Sequence, residues 1–255
     1  RKYNLKLTKS LGQNFLRDDN IIRKIVDAAE VTKNDFIIEV GPGVGSMTVG
    51  LASRAGFVAA VEIDKRLIPP LKENLKEFDN VDIINADILK MDINKDLLEK
   101  YRLKPEGCEN PPVKVVSNLP YYITTPVIMK FLEEAEGIDL MVFTLQKEVA
   151  DRITARPGSK DYGALSVAVQ FYSKPRKLFD ISPECFVPCP EVDSTVIRMD
   201  IYKEPCVRLT DRKMFFKTVK AAFGHRRKTL LNALSNSGAF NMDKKEMESI
   251  IRSLG

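Results

Sequence analysis

The chain of 255 residues has no tryptophan, a single histidine and only four cysteines. Cysteine this sparse in a chain this long excludes a disulfide scaffold. Cys185-x-x-x-Cys189 offers at most half a metal site, because Pro188 and Pro190 flank Cys189 and His225 lies in a different segment. Free thiols in a reducing, cytoplasmic compartment are the expectation, and no bound metal. Long apolar runs are also missing. The longest stretch without a charge, Val115 to Met129, has 15 residues and includes two prolines. It is too short and too interrupted for a membrane span. The first 16 residues contain no apolar run of the kind a secretory signal needs.

Acidic residues are missing where basic ones gather. Residues 1–17 hold five basic and no acidic side chains. Residues 205–255 hold 11 basic and 4 acidic, which leaves residues 1–204 with a net charge of −2 although the whole chain carries +5. That asymmetry points to a polyanionic partner gripped by the C-terminal part and the N-terminal arm.

Up to about residue 202, strand and helix patterns alternate. Phe36 to Val40, Phe57 to Val61, Val81 to Asp87, Val113 to Ser117 and Leu140 to Leu145 read as buried strands, with helical stretches between them. Lys147 to Arg152 and Tyr162 to Tyr172 leave their type open, and Lys177 to Ile181 and Ser194 to Tyr202 read as a closing pair of strands. The prediction is a doubly wound, mostly parallel α/β sheet of Rossmann-like kind, covered on both faces. From Thr210 onward the apolar spacing is helical only. The domains expected are therefore residues 1–204, with a basic arm, and a small all-helical domain at residues 205–255.

The chemistry centres on Asn118-Leu119-Pro120-Tyr121. Pro120 cannot continue a ladder, so the chain leaves the sheet there with an amide, free carbonyls and an aromatic ring. An amino group on a planar base, its lone pair delocalised, needs acceptors for its N–H bonds more than it needs a strong base. Asn118 and the carbonyl of Leu119 or Pro120 are candidates, with Tyr121 stacking on the base.

Other strand ends carry matching groups. Gly41 and Gly43 follow the first strand, but Ser46 stands where a dinucleotide fingerprint needs its third glycine, and no Gly-Lys-Ser/Thr follows. The glycines therefore make room for an amino-acid moiety rather than a pyrophosphate. Glu62, ending the second strand, suits two ribose hydroxyls. Asp87, ending the third, suits an adenine amine. In a doubly wound sheet all these ends share one edge.

With those residues in hand, the chain resembles the KsgA-type rRNA adenine dimethyltransferases along nearly its whole length. The resemblance rests on Gly12-Gln13-Asn14-Phe15-Leu16, Glu39-Val40-Gly41-Pro42-Gly43, Asn118-Leu119-Pro120-Tyr121 and Leu145-Gln146-Lys147-Glu148-Val149. It rests also on Tyr162-Gly163-x-Leu165-Ser166, Phe186-x-Pro188-x-Pro190-x-Val192-x-Ser194 and Arg226-Arg227-Lys228-Thr229-Leu230.

The resemblance implies S-adenosylmethionine as cofactor, contacted by Asn14, Leu16, Gly41, Glu62, Asp87 and Asn118. It implies a target adenine at Asn118 to Tyr121, with Phe186 as the opposing wall. The substrate implied is small-subunit rRNA in an immature subunit, dimethylated by a monomeric enzyme. Arg226, Arg227 and Lys228 are read as phosphate ligands that position RNA without reading its sequence. His225 beside them fits a phosphate contact better than a general base, which this chemistry does not require. Two rival readings share the core: an erythromycin-resistance type of enzyme acting on large-subunit rRNA, and a non-catalytic RNA-binding assembly or transcription factor.

Overall fold

The computed structural model describes residues 14–204, 206–225 and 227–254. A two-residue strand, β1 (Phe15–Leu16), precedes α1 (Asp19–Ala28). The Asp18 carboxylate caps that helix by accepting from the N–H groups of Asn20 and Ile21. Then come β2 (Phe36–Val40), α2 (Ser46–Ala52), β3 (Phe57–Glu62), α3 (Ile68–Asn74) and β4 (Val81–Asn85). Pro69 and Pro70 sit in the first turn of α3, where a missing N–H costs nothing. A π-helical turn (Asn94–Leu98) runs into α4 (Glu99–Tyr101), followed by β5 (Val113–Asn118), α5 (Thr124–Glu134) and β6 (Leu140–Gln146).

The two stretches of open type are helices, α6 (Lys147–Thr154) and α7 (Ala164–Tyr172). Most of α7 is apolar, so its sequence shows no polar face from which to read a period. Its start is held by Ser166 Oγ, which accepts from the Gly163 N–H and donates to the Arg152 carbonyl. β7 (Ser173–Ile181), β8 (Phe186–Val187) and β9 (Ser194–Ile201) follow.

The main sheet has seven strands in the order β4-β3-β2-β5-β6-β9-β7. The first five are parallel, while β9 runs antiparallel to both β6 and β7. This is the mostly parallel α/β sheet expected. Every residue of β2 is buried, as a central strand covered on both faces requires. Phe36 and Ile38 join the apolar cluster on one face, with Phe131 and Phe143, and Ile37 joins the other, with Ile25 and Leu51. Chain progression reverses between β2 and β5: β3 and β4 are laid down on one side, β6 on the other. A crevice opens at such a switch point, beyond the carboxyl ends of the strands.

The last described part is helical: α8 (Arg212–Phe223), α9 (Leu230–Ser235) and α10 (Lys244–Ser253). Ala221, Leu234 and Met247 form an apolar cluster of their own. Rings join this part to the sheet part: Phe171 lies 5.4 Å from both Phe215 and Phe216, and Tyr172 stacks on Phe216 at 5.8 Å.

Candidate active site

A cavity of about 250 Å³ occupies the switch-point crevice. Its lining includes Asn14, Gly41, Gly43, Glu62, Asp87 and the whole of Asn118 to Tyr121, so residues far apart in sequence meet at one sheet edge. Each reaches it because its strand ends there: Gly41 follows β2, Glu62 ends β3, Asp87 lies just past β4, and Asn118 ends β5.

Glu62 is 2% exposed and binds the glycine loop as well as facing the cavity. One carboxylate oxygen accepts from the Gly43 N–H at 3.0 Å and the other from the Asp64 N–H at 2.8 Å. Burial pushes its pKa above the usual carboxylate range, and those two N–H groups pull it back down. Asp87 is less enclosed. One oxygen accepts from the Leu89 N–H at 3.0 Å, and the other lies 3.6 Å from Lys90 Nζ.

Asn118 has a fixed attitude. Its Nδ2 donates to the Asn14 carbonyl at 2.8 Å. A carbonyl can only accept, so the amide cannot be turned over, and Oδ1 faces away from Asn14 with no donor to it among the described residues. The open choice between two backbone carbonyls also narrows. The Pro120 carbonyl already accepts from the Ile123 N–H at 3.1 Å and from Thr124 Oγ1 at 3.2 Å. No described residue donates to the Leu119 carbonyl. Tyr121 lines the cavity while its hydroxyl pairs with Ser194 Oγ at 2.7 Å. Burial raises its pKa, which keeps the phenol neutral, and the Ser194 hydrogen bond opposes that shift.

Of the residues expected at the site, Phe186 packs elsewhere, while Leu16 borders a small second cavity beneath the glycine loop. Leu16 and Phe186 are cross-strand partners in the β1–β8 pair, and both point into the apolar cluster that holds Ile25 and Leu51. Cross-strand partners share a face, so the alternate pair, Phe15 and Val187, takes the other one. It is Phe15 that lines the cavity, with its ring against Gly43: a Cβ at that glycine would meet the ring at 2.4 Å. Gly43 also has a φ of +62°, so the position excludes a side chain twice over. Arg227 and Lys228 are exposed in the turn between α8 and α9, and Arg226 lies outside the described residues, as do Gly12 and Gln13.

The sequence pattern also passed over three residues. Ile63 and Tyr122 line the cavity mouth, both exposed, and Tyr122 sits near enough to Asp87 and Glu62 for their charges, after burial, to raise its pKa. Glu39, the fourth residue of the buried β2 run, is 1% exposed, and its Oε2 has no hydrogen-bond partner among the described residues. Thr48 Oγ1 likewise has none. Glu39 borders the second, smaller cavity of about 30 Å³ beneath the glycine loop, shared with Phe15, Leu16, Gly41 and Asn118. Its carboxyl is pushed up to about 8, first by burial and further by the Glu62 charge, against the pull of the Thr48 hydroxyl. Among the described residues no cluster of three His, Cys, Asp or Glu side chains is placed to hold a metal ion. No described helix is long and apolar enough to cross a membrane.

A set of acceptors without donors, beside a glycine loop and two carboxylates at a switch point, fits a small-molecule donor and an amine acceptor. Residues 4–251 match the family model described as ribosomal RNA adenine dimethylase. The chain belongs to that family. It is 53% identical to the ribosomal RNA small subunit methyltransferase A of Alkaliphilus oremlandii, covering 98% of this chain and 85% of the relative. A dimethyladenosine transferase from Plasmodium falciparum shares the fold, with a TM-score of 0.76 at 23% identity over 94% of this chain and 89% of that one. The 23S rRNA methyltransferase ErmE is similar with a TM-score of 0.68 at 27% identity, over the same shares of the two chains.

Proposed function

We propose that this protein transfers methyl groups from S-adenosylmethionine to the exocyclic amine of adenosine in small-subunit rRNA, twice per base and at two adjacent adenosines, within an immature small subunit. The observation that carries the reading is the pair of acceptors, Asn118 Oδ1 and the Leu119 carbonyl, which no described residue engages, on the wall of the glycine-loop cavity. Its amine-acceptor geometry is paired with family membership over nearly the full chain.

The cavity's residues fit that cofactor. Gly41 leaves its wall open, since a Cβ there would meet nothing nearer than Pro120 at 3.6 Å. The unpartnered Glu39 oxygen lies under the same loop, where a cationic amino-acid group would relieve it. Glu62 would hold the ribose hydroxyls and Asp87 the adenine amine; Asn14 and Gly43 complete the wall. When bound, S-adenosylmethionine supplies an activated methyl on a sulfonium. The chain's part is then to position and to accept. Asn118 Oδ1 and the Leu119 carbonyl take the two N–H bonds of the target amine, and Tyr121 stacks on the base. Arg226, Arg227 and Lys228, in the helical domain of residues 205–255, hold RNA phosphates.

The deciding experiment is incubation with labelled S-adenosylmethionine and immature small subunits, followed by nucleoside analysis. N6,N6-dimethyladenosine in small-subunit rRNA is the expected product. Label in large-subunit rRNA instead would favour the erythromycin-resistance type of enzyme, and no transfer at all would leave an RNA-binding factor.

Two further results are expected. Glu62→Ala should weaken S-adenosylmethionine binding by about 1–3 kcal/mol, the scale of lost hydrogen bonds to a charged group, as read by calorimetry. Unchanged affinity would remove Glu62 from the ribose site. Replacing Arg227 and Lys228 together by Ala should make the slope of log RNA affinity against log salt shallower by about 1.4–1.8, with cofactor affinity unchanged. A wild-type slope would mark that turn as an ordinary solvated surface.

A further inference from the structure

We propose that Ser194 is a positioning residue for methyl transfer: its hydroxyl holds the Tyr121 ring in the attitude that receives the target base, and so governs passage from one methyl to two. The proposal rests on the function given above and goes beyond it.

Ser194 is built to be a fixed point. It is fully buried and opens β9, where it pairs with Gln146 on one side and Ile181 on the other. Tyr121 is not built that way. It lies past Pro120, outside the ladder, in the short 3₁₀ turn Tyr121–Ile123, and it is only half-buried. The hydroxyl–hydroxyl bond at 2.7 Å ties this half-buried ring to the sheet across 73 residues of sequence. Neither hydroxyl has another hydrogen-bond partner among the described residues. Removing one leaves the other unpaired and the ring with a free choice of rotamer.

The second transfer depends on that ring more than the first does. An unmethylated amine offers N–H bonds to both Asn118 Oδ1 and the Leu119 carbonyl. After one transfer a single N–H remains, so one acceptor loses its partner and the base is held by fewer directional contacts. Stacking on Tyr121 then carries a larger share of the alignment, and in-line transfer is sensitive to small displacements. A loosened ring should therefore slow the second step more than the first.

The test compares wild type with Ser194→Ala, Ser194→Thr and Tyr121→Phe in single-turnover reactions on unmethylated and once-methylated small subunits, with nucleoside products separated by mass. For Ser194→Ala the ratio of dimethylated to monomethylated adenosine should fall by about tenfold, the first step by no more than about threefold, and KM for the subunit should stay near wild type. Ser194→Thr, which keeps a hydroxyl, should recover most of the ratio. Tyr121→Phe should reproduce the shift from the other end of the bond, and the double variant Ser194→Ala/Tyr121→Phe should be no worse than either single one. If Ser194→Ala does not fold, Tyr121→Phe carries the test alone. A wild-type product ratio in the folded variants, or losses that multiply in the double variant, would overturn the proposal. Absence of any transfer by the wild-type protein would instead overturn the function on which it rests.

Discussion

Asn118→Ala is expected to lower turnover by about 10²–10³-fold while leaving RNA affinity within about twofold of wild type. The size follows from when the acceptor is used. The target amine is nearly neutral in the ground state and gains positive charge as its lone pair takes the methyl. A hydrogen bond from that amine to Asn118 Oδ1 strengthens most at that moment, so its loss falls on the chemical step rather than on binding. RNA affinity comes from phosphate contacts elsewhere and should not notice. Asn118→Asp is expected to be nearly as poor, although it keeps an acceptor. The Asn14 carbonyl takes the Asn118 Nδ2 proton at 2.8 Å, and a carboxylate oxygen in that place would confront it acceptor to acceptor. Single-turnover transfer and filter binding, measured on the same variants, separate the two effects. Collapsed RNA binding with surviving chemistry would reverse the assignment.

The sequence was legible where function coincides with secondary structure. Glu62, Asp87 and Asn118 could be found because buried strands are obvious as apolar runs and their ends must converge at a switch point. What could not be read is what strand ends do to one another. Asn14 and Asn118 lie 104 residues apart, and a backbone carbonyl that sets the sense of an amide leaves no trace in residue type. Phe186 was expected at the site, but the two-residue strand pair turns it toward the core; on the paired strand Phe15 faces the main cavity and Leu16 borders the smaller one. A shift of one residue decides which side chain faces a cavity, and a strand that short has too few residues to show its period. Glu39 was legible as the first residue of the glycine-loop motif but not as an unpaired group, because burial without a partner is a property of the packed structure.

That same lack of a partner makes Glu39→Gln the second large expected effect, this time on stability. Glu39 sits within β2, 1% exposed, with its Oε2 unpaired. Its carboxyl has an ordinary value of 4.5 in the unfolded chain and is pushed to about 8 in the fold. Between those values the folded protein keeps a proton that the unfolded chain has released. Folding therefore binds a proton in this window, and the Glu39 contribution to stability falls as pH rises through it. Below 4.5 both states are protonated and the contribution is full; above about 8 both are charged, and the whole cost of burying a carboxylate is present. Glutamine has nearly the same shape and never ionises. Wild type and Glu39→Gln should then show similar unfolding free energies near pH 5. The variant should gain progressively, reaching an advantage on the order of 4 kcal/mol by pH 8.5. Urea denaturation at pH 5, 7 and 8.5 measures it directly. Glu62 also has a raised pKa, but it is present in both proteins and largely cancels in the comparison. A stability difference that does not change with pH would mean that burial does not hold a proton on Glu39 between pH 5 and 8.5, and would overturn the prediction.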